Sequence, residues 1–150
     1  INDKSIFDKK TYNLINDNKS YLIDDDYDNI LCVWWKDWRW EPPAIDFLPD
    51  NGKGGFIVYD GDTPVCAGFN YLTNSKVGWC DFVISNFKYK DREKRKEAIT
   101  LLISTIDKVL ELSECKYVFT SVKNKQLINT YKELGYTEGS SNCSEMIKKL

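Results

Sequence analysis

A chain of 150 residues with 42% apolar and 14% aromatic side chains has the size and composition of one packed domain, which excludes a disordered or fibrous protein. Its formal net charge of −2 and pI of about 5.2 argue against a dedicated nucleic-acid binder, whose positive charge is spread broadly. It has no histidine, so neither a Ser-His-Asp nor a Cys-His centre can be assembled within it. Any general base is a carboxylate, a tyrosine, a lysine, a cysteine or a relayed water.

The five cysteines (Cys32, Cys66, Cys80, Cys115 and Cys143) contain no CxxC pair and are odd in number. That pattern suits neither a zinc site nor a disulfide framework, so no metal is expected, and buried free thiols in a reducing cytoplasm are. No run of about 18 apolar residues and no signal peptide is visible, so no membrane partner is expected. The chain starts at Ile1 without Met, and a few residues are expected to precede it. Lysine outnumbers arginine 18 to 3 and Asn is frequent, which suggests an AT-rich coding genome, bacterial or phage, and the cytoplasm of a bacterium or infected host cell.

In chain order, residues 1–20 are polar, with a weak apolar patch at Tyr12, Leu14 and Ile15, and read as a strand or a loose arm. "DDDYDNILCVWWKDWRWEPP" reads as a helix. Asp24, Asp25, Asp26 and Asp28 suit its N-terminus, and Leu31, Trp34, Trp35 and Trp38 recur at i, i+3, i+4 and i+7. Pro42 and Pro43 are its expected stop. "PDNGKGG" is a turn-rich loop. Phe56 to Tyr59 and Val65 to Leu72 read as a hairpin around "DGDTP", and Val77 to Ser85 as a third strand.

A long amphipathic helix is marked by Ala98, Ile99, Leu102, Ile103, Ile106, Val109 and Leu110. A strand is expected over "KYVFTSV" (116–122). "NKQLINTYKELGY" gives a short helix with Asn124 as cap and Gly135 at C′, and a last strand is expected around Ser144 to Ile147. A strand–helix–strand crossover in an otherwise antiparallel meander predicts an α/β (α+β) domain, a mixed, mostly antiparallel sheet with helices on both faces.

Between the third strand and the long helix lies "NFKYKDREKRKEA", nine charged side chains in thirteen residues. Six are basic: Lys88, Lys90, Arg92, Lys94, Arg95 and Lys96. Taken alone, the run suits a solvated helix start, a nucleic-acid patch or a phosphate site.

This order of elements, with "VKNKQLINTYKELGY", resembles the GNAT superfamily of N-acyltransferases. Asn124, Tyr131 and Leu134-Gly135-Tyr136 are spaced as that family spaces its Asn, Tyr and Leu-Gly-aromatic block. "PVCAGF" resembles the end of the family's hairpin. The likeness covers roughly residues 20–150 and implies one acyltransferase domain over 1–150. It implies a splayed pair of parallel strands holding acetyl-CoA or another acyl-CoA, with the pyrophosphate at the N-terminus of the long helix. The family's loop there is glycine-rich, whereas here no glycine lies between Gly78 and Gly135. The resemblance therefore assigns the phosphates to Lys90, Arg92, Lys94, Arg95 and Lys96, which suit them as cations.

The resemblance makes Tyr131 the general acid for the departing thiolate and Asp81 the candidate base. Asp81 breaks the apolar run "WCDFVI", although simple alternation also allows it to face solvent, with Trp79 and Val83 on the same face. Cys80 is a lesser candidate base, against an inert buried thiol. Backbone around Val83 and Ile84 is implied for the thioester oxygen and the cofactor, and Asn124 for the pantetheine arm or a plain cap. Trp38, Arg39 and Trp40 of "WWKDWRW" are candidate acceptor contacts, with core packing as the alternative for the tryptophans. The expected activity is transfer of an acetyl group to a primary amine by direct attack, by a monomer or homodimer. Two alternatives stay open. One is a GNAT-fold protein that acts by binding alone. The other is an enzyme that modifies nucleic acid or tRNA through the 88–96 run, the less favoured partner.

Overall fold

The computed structural model describes residues 18–150. Strand β1, Lys19–Tyr21, is all that falls here of the expected N-terminal strand or arm. Tyr12, Leu14 and Ile15 lie outside the described residues. The next segment opens at Asp26, whose carboxylate accepts the Ile23 N–H (2.8 Å). A π-helical stretch, Tyr27–Leu31, runs into helix α1, Cys32–Asp37.

The helix ends at Asp37, five residues before Pro42, the first of the prolines expected to stop it. Arg39 adopts φ 64°, the Arg39 N–H donates to the Lys36 carbonyl, and the Trp40 N–H donates to the Trp35 carbonyl. Those two bonds form a Schellman motif with arginine in the place where glycine is usual.

Two short 3₁₀ turns, Ile45–Phe47 and Pro49–Gly52, lead to β2, Gly55–Asp60, and β3, Thr63–Leu72. Strand β4, Val77–Ser85, is followed by α2, Arg92–Leu112, then β5, Tyr117–Phe119, and α3, Lys125–Glu133. The sheet order is β1-β2-β3-β4-β5. Pairing is antiparallel up to β4, whereas β4 and β5 are parallel because a helix carries the chain from one to the other.

Period-two alternation gives the sheet two apolar faces. Phe56, Val58, Cys66 and Cys80 pack against Ala98, Leu102, Ile103, Ile106 and Leu110 of α2. Ile57, Ala67, Phe69 and Ile84 pack on the other side against Leu31, Trp34 and Trp35. Each fully buried Leu, Ile or Phe contributes about 1.5–3 kcal/mol, so these two layers hold the sheet between its helices. Gly68 lets α2 approach: a Cβ there would lie 3.2 Å from both Leu102 and Val83. Asn124 caps α3 through its side chain, 2.9 Å from the Leu127 N–H, and Gly135 (φ 100°) ends it as the sequence predicts.

The last strand does not form. Residues 136–150 carry no strand, and Met146, Ile147 and Leu150 are exposed. Met146 and Ile147 are adjacent rather than alternating, so they define no single apolar face for a sheet to bury. The strand expected over 116–122 shrinks to three residues. All five cysteines are free, but only Cys66 and Cys80 are buried, while Cys32 and Cys115 are half-buried and Cys143 is exposed, contrary to the expectation of buried thiols throughout. No helix among the described residues is long and apolar enough to cross a membrane.

Candidate active site where β4 and β5 part

The parallel ladder between β4 and β5 has three rungs: Val77 with Tyr117, Gly78 with Val118, and Trp79 with Phe119. β5 ends at Phe119 while β4 continues six residues to Ser85, so a gap opens beside Cys80 and Asp81. At this point β4 is also bulged. Phe69 pairs with Asp81 and Ala67 with Ile84, so β4 spends one residue more than β3 over the same stretch. Phe82 takes up the excess at φ 54°, a conformation unusual for a bulky residue, with its N–H on Asp81 Oδ1 (2.9 Å).

The bulge corrects the face assignment from simple alternation. Asp81 and Phe82 both lie on the α1 face with Trp79. Val83 instead turns to α2, where it packs in that cluster. Asp81 is half-buried rather than turned fully to solvent, and burial, with a further contribution from Glu145, holds its carboxyl above the ordinary range against the Phe82 N–H.

Tyr131 arrives from the opposite face. Its ring is buried beside Tyr136 (centroids 4.7 Å), and its hydroxyl lies 3.4 Å from Cys80 Sγ and 3.4 Å from Thr120 Oγ1. Thr120 directly follows β5, so the hydroxyl spans the gap between the two strands. Burial first, then the neighbouring Cys80, pushes the Tyr131 hydroxyl far above its usual pKa, so it keeps its proton at every physiological pH. Burial also raises the Cys80 thiol to about 12, which leaves it a neutral thiol and a poor base. Tyr136 donates to Asp107 on α2 and so fixes the end of α3 against the long helix.

The basic run divides by helical phase. Arg95 stands three, four and seven residues before Ala98, Ile99 and Leu102, on the buried stripe of α2. It is half-buried, donates to the Tyr89 carbonyl, and leaves its Nε buried without a partner among the described residues. Lys96 pairs with Glu133 of α3 (2.8 Å), and Lys90 lies over the Phe87 ring (4.5 Å). Arg92 and Lys94 are exposed in the first turn. The same turn is acidic as well. The Asp91 side chain caps the helix by accepting the Lys94 N–H (3.1 Å), and Glu93 follows.

The loop before α2 is held rigidly. Asn86 Nδ2 donates to the Pro64 carbonyl (2.9 Å), the Lys88 N–H donates to Asn86 Oδ1 (3.0 Å), and the Tyr89 hydroxyl donates to Asp60 (2.8 Å). Trp38 joins this loop: its indole N–H donates to the Ser85 carbonyl (2.8 Å), and its ring meets Phe87 edge-on (4.8 Å) and stacks with Trp40 (5.6 Å). The structure thus brings Trp38 and Trp40 to the loop carrying Lys90, and brings Asp81, Tyr131, Val83 and Ile84 to the gap. Asn124 caps α3, and Arg39 is exposed at the end of α1.

Sequence reading does not single out Thr120, Glu145, Tyr71, Phe47 or Phe82. Tyr71 lies across from Trp79, and Phe82 joins the α1 face only because of the bulge. Among the described residues, no group of three or more His, Cys, Asp or Glu side chains is arranged to hold a metal.

No protein-family model matches the sequence, and no curated protein matches it. Solved structures do match. A GNAT-family acetyltransferase of Streptococcus pneumoniae superposes with a TM-score of 0.55 at 11% identity, covering 88% of this chain and 95% of the other. Glucosamine-6-phosphate N-acetyltransferase from Arabidopsis thaliana gives 0.57 at 9%, covering 87% and 97%. An aminoglycoside acetyltransferase from an uncultured soil metagenomic sample, in complex with sisomicin, gives 0.58 at 9%, covering 87% and 95%. With its helix-flanked mixed sheet and its parallel β4–β5 pair, this chain has the fold of the GNAT acetyltransferases.

Proposed function

We propose that residues 1–150 form one N-acetyltransferase domain, which moves an acetyl group from acetyl-CoA to a primary amine by direct attack within a ternary complex. The observation that carries this reading is the pair Asp81 and Tyr131, which reach the β4–β5 gap from opposite faces of the sheet. An alkylammonium with a pKa of about 10.4 is almost wholly protonated at neutral pH, so transfer needs a base. Asp81, desolvated and raised, takes the ammonium proton. The amine nitrogen then attacks the thioester carbonyl carbon, the C–S bond breaks, and the departing thiolate takes the Tyr131 proton. The second proton, shed by the new amide nitrogen, restores the Tyr131 hydroxyl, leaving neutral amide and thiol, while Asp81 passes its proton to solvent. Backbone near Val83 and Ile84 faces the thioester.

Side chains hold the phosphates in this reading. The exposed Arg92 and Lys94 and the half-buried Arg95 supply the donors, with Lys90 and Lys96 at the margin. Asp91 occupies the cap position that a phosphate oxygen takes at a helix N-terminus, which supports side-chain rather than backbone recognition. Asn124 faces the pantetheine arm, and Trp38, Arg39 and Trp40 flank the ligand's approach. The test is release of free CoA thiol when acetyl-CoA and a panel of primary amines are mixed with the protein. Thiol release that depends on amine supports the reading, and acetyl-CoA left intact with every amine contradicts it.

A further inference from the structure

The α1 face of β4 and β5 is paved with aromatic rings around Asp81. Trp79 lies two residues before Asp81 on the same face, and Phe82 follows it there because of the bulge. Phe119 packs on Trp79 (4.5 Å), Tyr71 lies 6.4 Å from Phe82, and Phe47 meets Phe82 edge-on (5.6 Å). The Tyr71 hydroxyl donates to the Phe47 carbonyl (3.1 Å), which fixes that wall. The floor is open: Phe119 is 55% exposed and Phe47 45% exposed.

Asp81 has no lysine or arginine partner among the described residues, and its carboxylate accepts only the Phe82 N–H. A half-buried carboxylate ordinarily acquires a cation or several donors, since an ionised oxygen pair accepts about four hydrogen bonds. Among the described residues, the charged neighbour that shifts it is another carboxylate, Glu145. The local field is negative, and the negative faces of aromatic rings add to it. Such a surface favours an ammonium and offers nothing to an anionic group.

We infer that this face is a cation-binding site in which Asp81, Trp79, Phe119, Phe82, Tyr71 and Phe47 receive an alkylammonium group. The acceptor is accordingly a cationic alkylamine without an anionic substituent beside the amine. Naming the acceptor rests on the acetyltransferase reading, whereas the cation site itself does not. Arg39, a candidate acceptor contact from the sequence, lies at the end of α1, and no lysine or arginine among the described residues pairs with Asp81.

The test uses choline, whose quaternary nitrogen cannot be acetylated, against its neutral carbon isostere 3,3-dimethylbutan-1-ol. Binding is followed by NMR at the Trp79 indole N–H. Choline is expected to bind at least about tenfold more tightly than the isostere, with the preference lost in Asp81→Asn and weakened in Phe119→Ala, a change at an exposed ring. Equal binding of the two probes, or a preference unchanged in Asp81→Asn, overturns the cation site. If choline binds selectively and acetyl-CoA does not bind at all, the cation site stands and the acetyltransferase reading falls. If acetyl-CoA binds and choline shows no preference, only the cation site and its acceptor class fall.

Discussion

The Tyr131 hydroxyl lies 3.4 Å from Cys80 Sγ, so a side chain of α3 closes onto β4 across the gap left where β5 ends. Tyr131→Phe removes that hydroxyl and leaves the ring packed on Tyr136. General-acid assistance of this kind is worth about 10²–10⁴ in rate, so turnover is expected to fall by about a hundredfold or more. The dissociation constant for acetyl-CoA should change by no more than about threefold. The lost hydrogen bonds should lower stability by about 1 kcal/mol. Steady-state kinetics beside calorimetric binding make the comparison, and equal losses in turnover and binding would remove Tyr131 from this role.

Asp81 links activity to pH with a definite sign. Its carboxyl is raised above the ordinary value of 3.8, chiefly by burial, and it serves as a base only when ionised. Turnover should therefore rise with pH through an acidic limb lying above the ordinary carboxylate range, and that limb should vanish in Asp81→Asn along with most activity. Stability runs the other way. The folded state binds the proton more tightly than the unfolded chain, so this group's unfavourable contribution is absent below pH 3.8 and complete above the native pKa. Asp81→Asn, which still accepts the Phe82 N–H, should be more stable than the parent at pH 7 and no more stable at pH 3. Denaturant unfolding at both pH values measures this, and the reverse order would contradict it.

The α2 N-terminus separates capping from charge. Asp91→Asn retains the side-chain acceptor for the Lys94 N–H while removing a negative charge from the turn assigned to the phosphates. It should leave stability within about 0.5 kcal/mol and tighten acetyl-CoA binding by about two- to fivefold, a gain of about 0.5–1 kcal/mol. Asp91→Ala should instead cost about 1 kcal/mol of stability through the lost cap. Unchanged affinity in Asp91→Asn would place the phosphates elsewhere.

Arg39 holds a left-handed conformation that disfavours a side chain. Replacement by glycine should raise stability by about 1 kcal/mol, because the Schellman bonds to Lys36 and Trp35 remain and the Cβ clash goes. Thermal unfolding decides it: a lower melting temperature would mean that the Arg39 side chain supports the turn.

Much of this architecture is legible from local pattern. Strand β4 runs from Val77 to Ser85 as its alternation predicts, and α3 begins after Asn124 and ends before Gly135 for the reasons of capping and backbone freedom that its sequence states. The resemblance implies that β4 and β5 part, but where they part, at Trp79 and Phe119, and the bulge at Phe82 are not legible, because each depends on register against another strand. The bulge matters most, since it places Phe82 rather than Val83 beside Asp81. The basic run hides a similar distinction. Helical phase puts Arg95 on the stripe of Ala98 and Leu102, a signal present in the sequence, but the pairing of Lys96 with Glu133 requires α3 to be docked. The last strand fails for the opposite reason: Met146 and Ile147 suggest a strand by composition, yet no sheet edge takes them up.

The central claim is that acetyl-CoA lies in the β4–β5 gap with its phosphates on α2. Titration of the protein with acetyl-CoA by isothermal calorimetry tests it most directly. The account predicts saturable binding with a Kd below about 1 mM, within the usual range for enzyme substrates. Arg92→Ala combined with Lys94→Ala, both exposed side chains, should weaken it by about tenfold, since hydrogen bonds to charged groups contribute about 1.5–3 kcal/mol in favourable geometry and less at the surface. No saturable heat at millimolar acetyl-CoA, from protein whose folding is verified by circular dichroism, would contradict it.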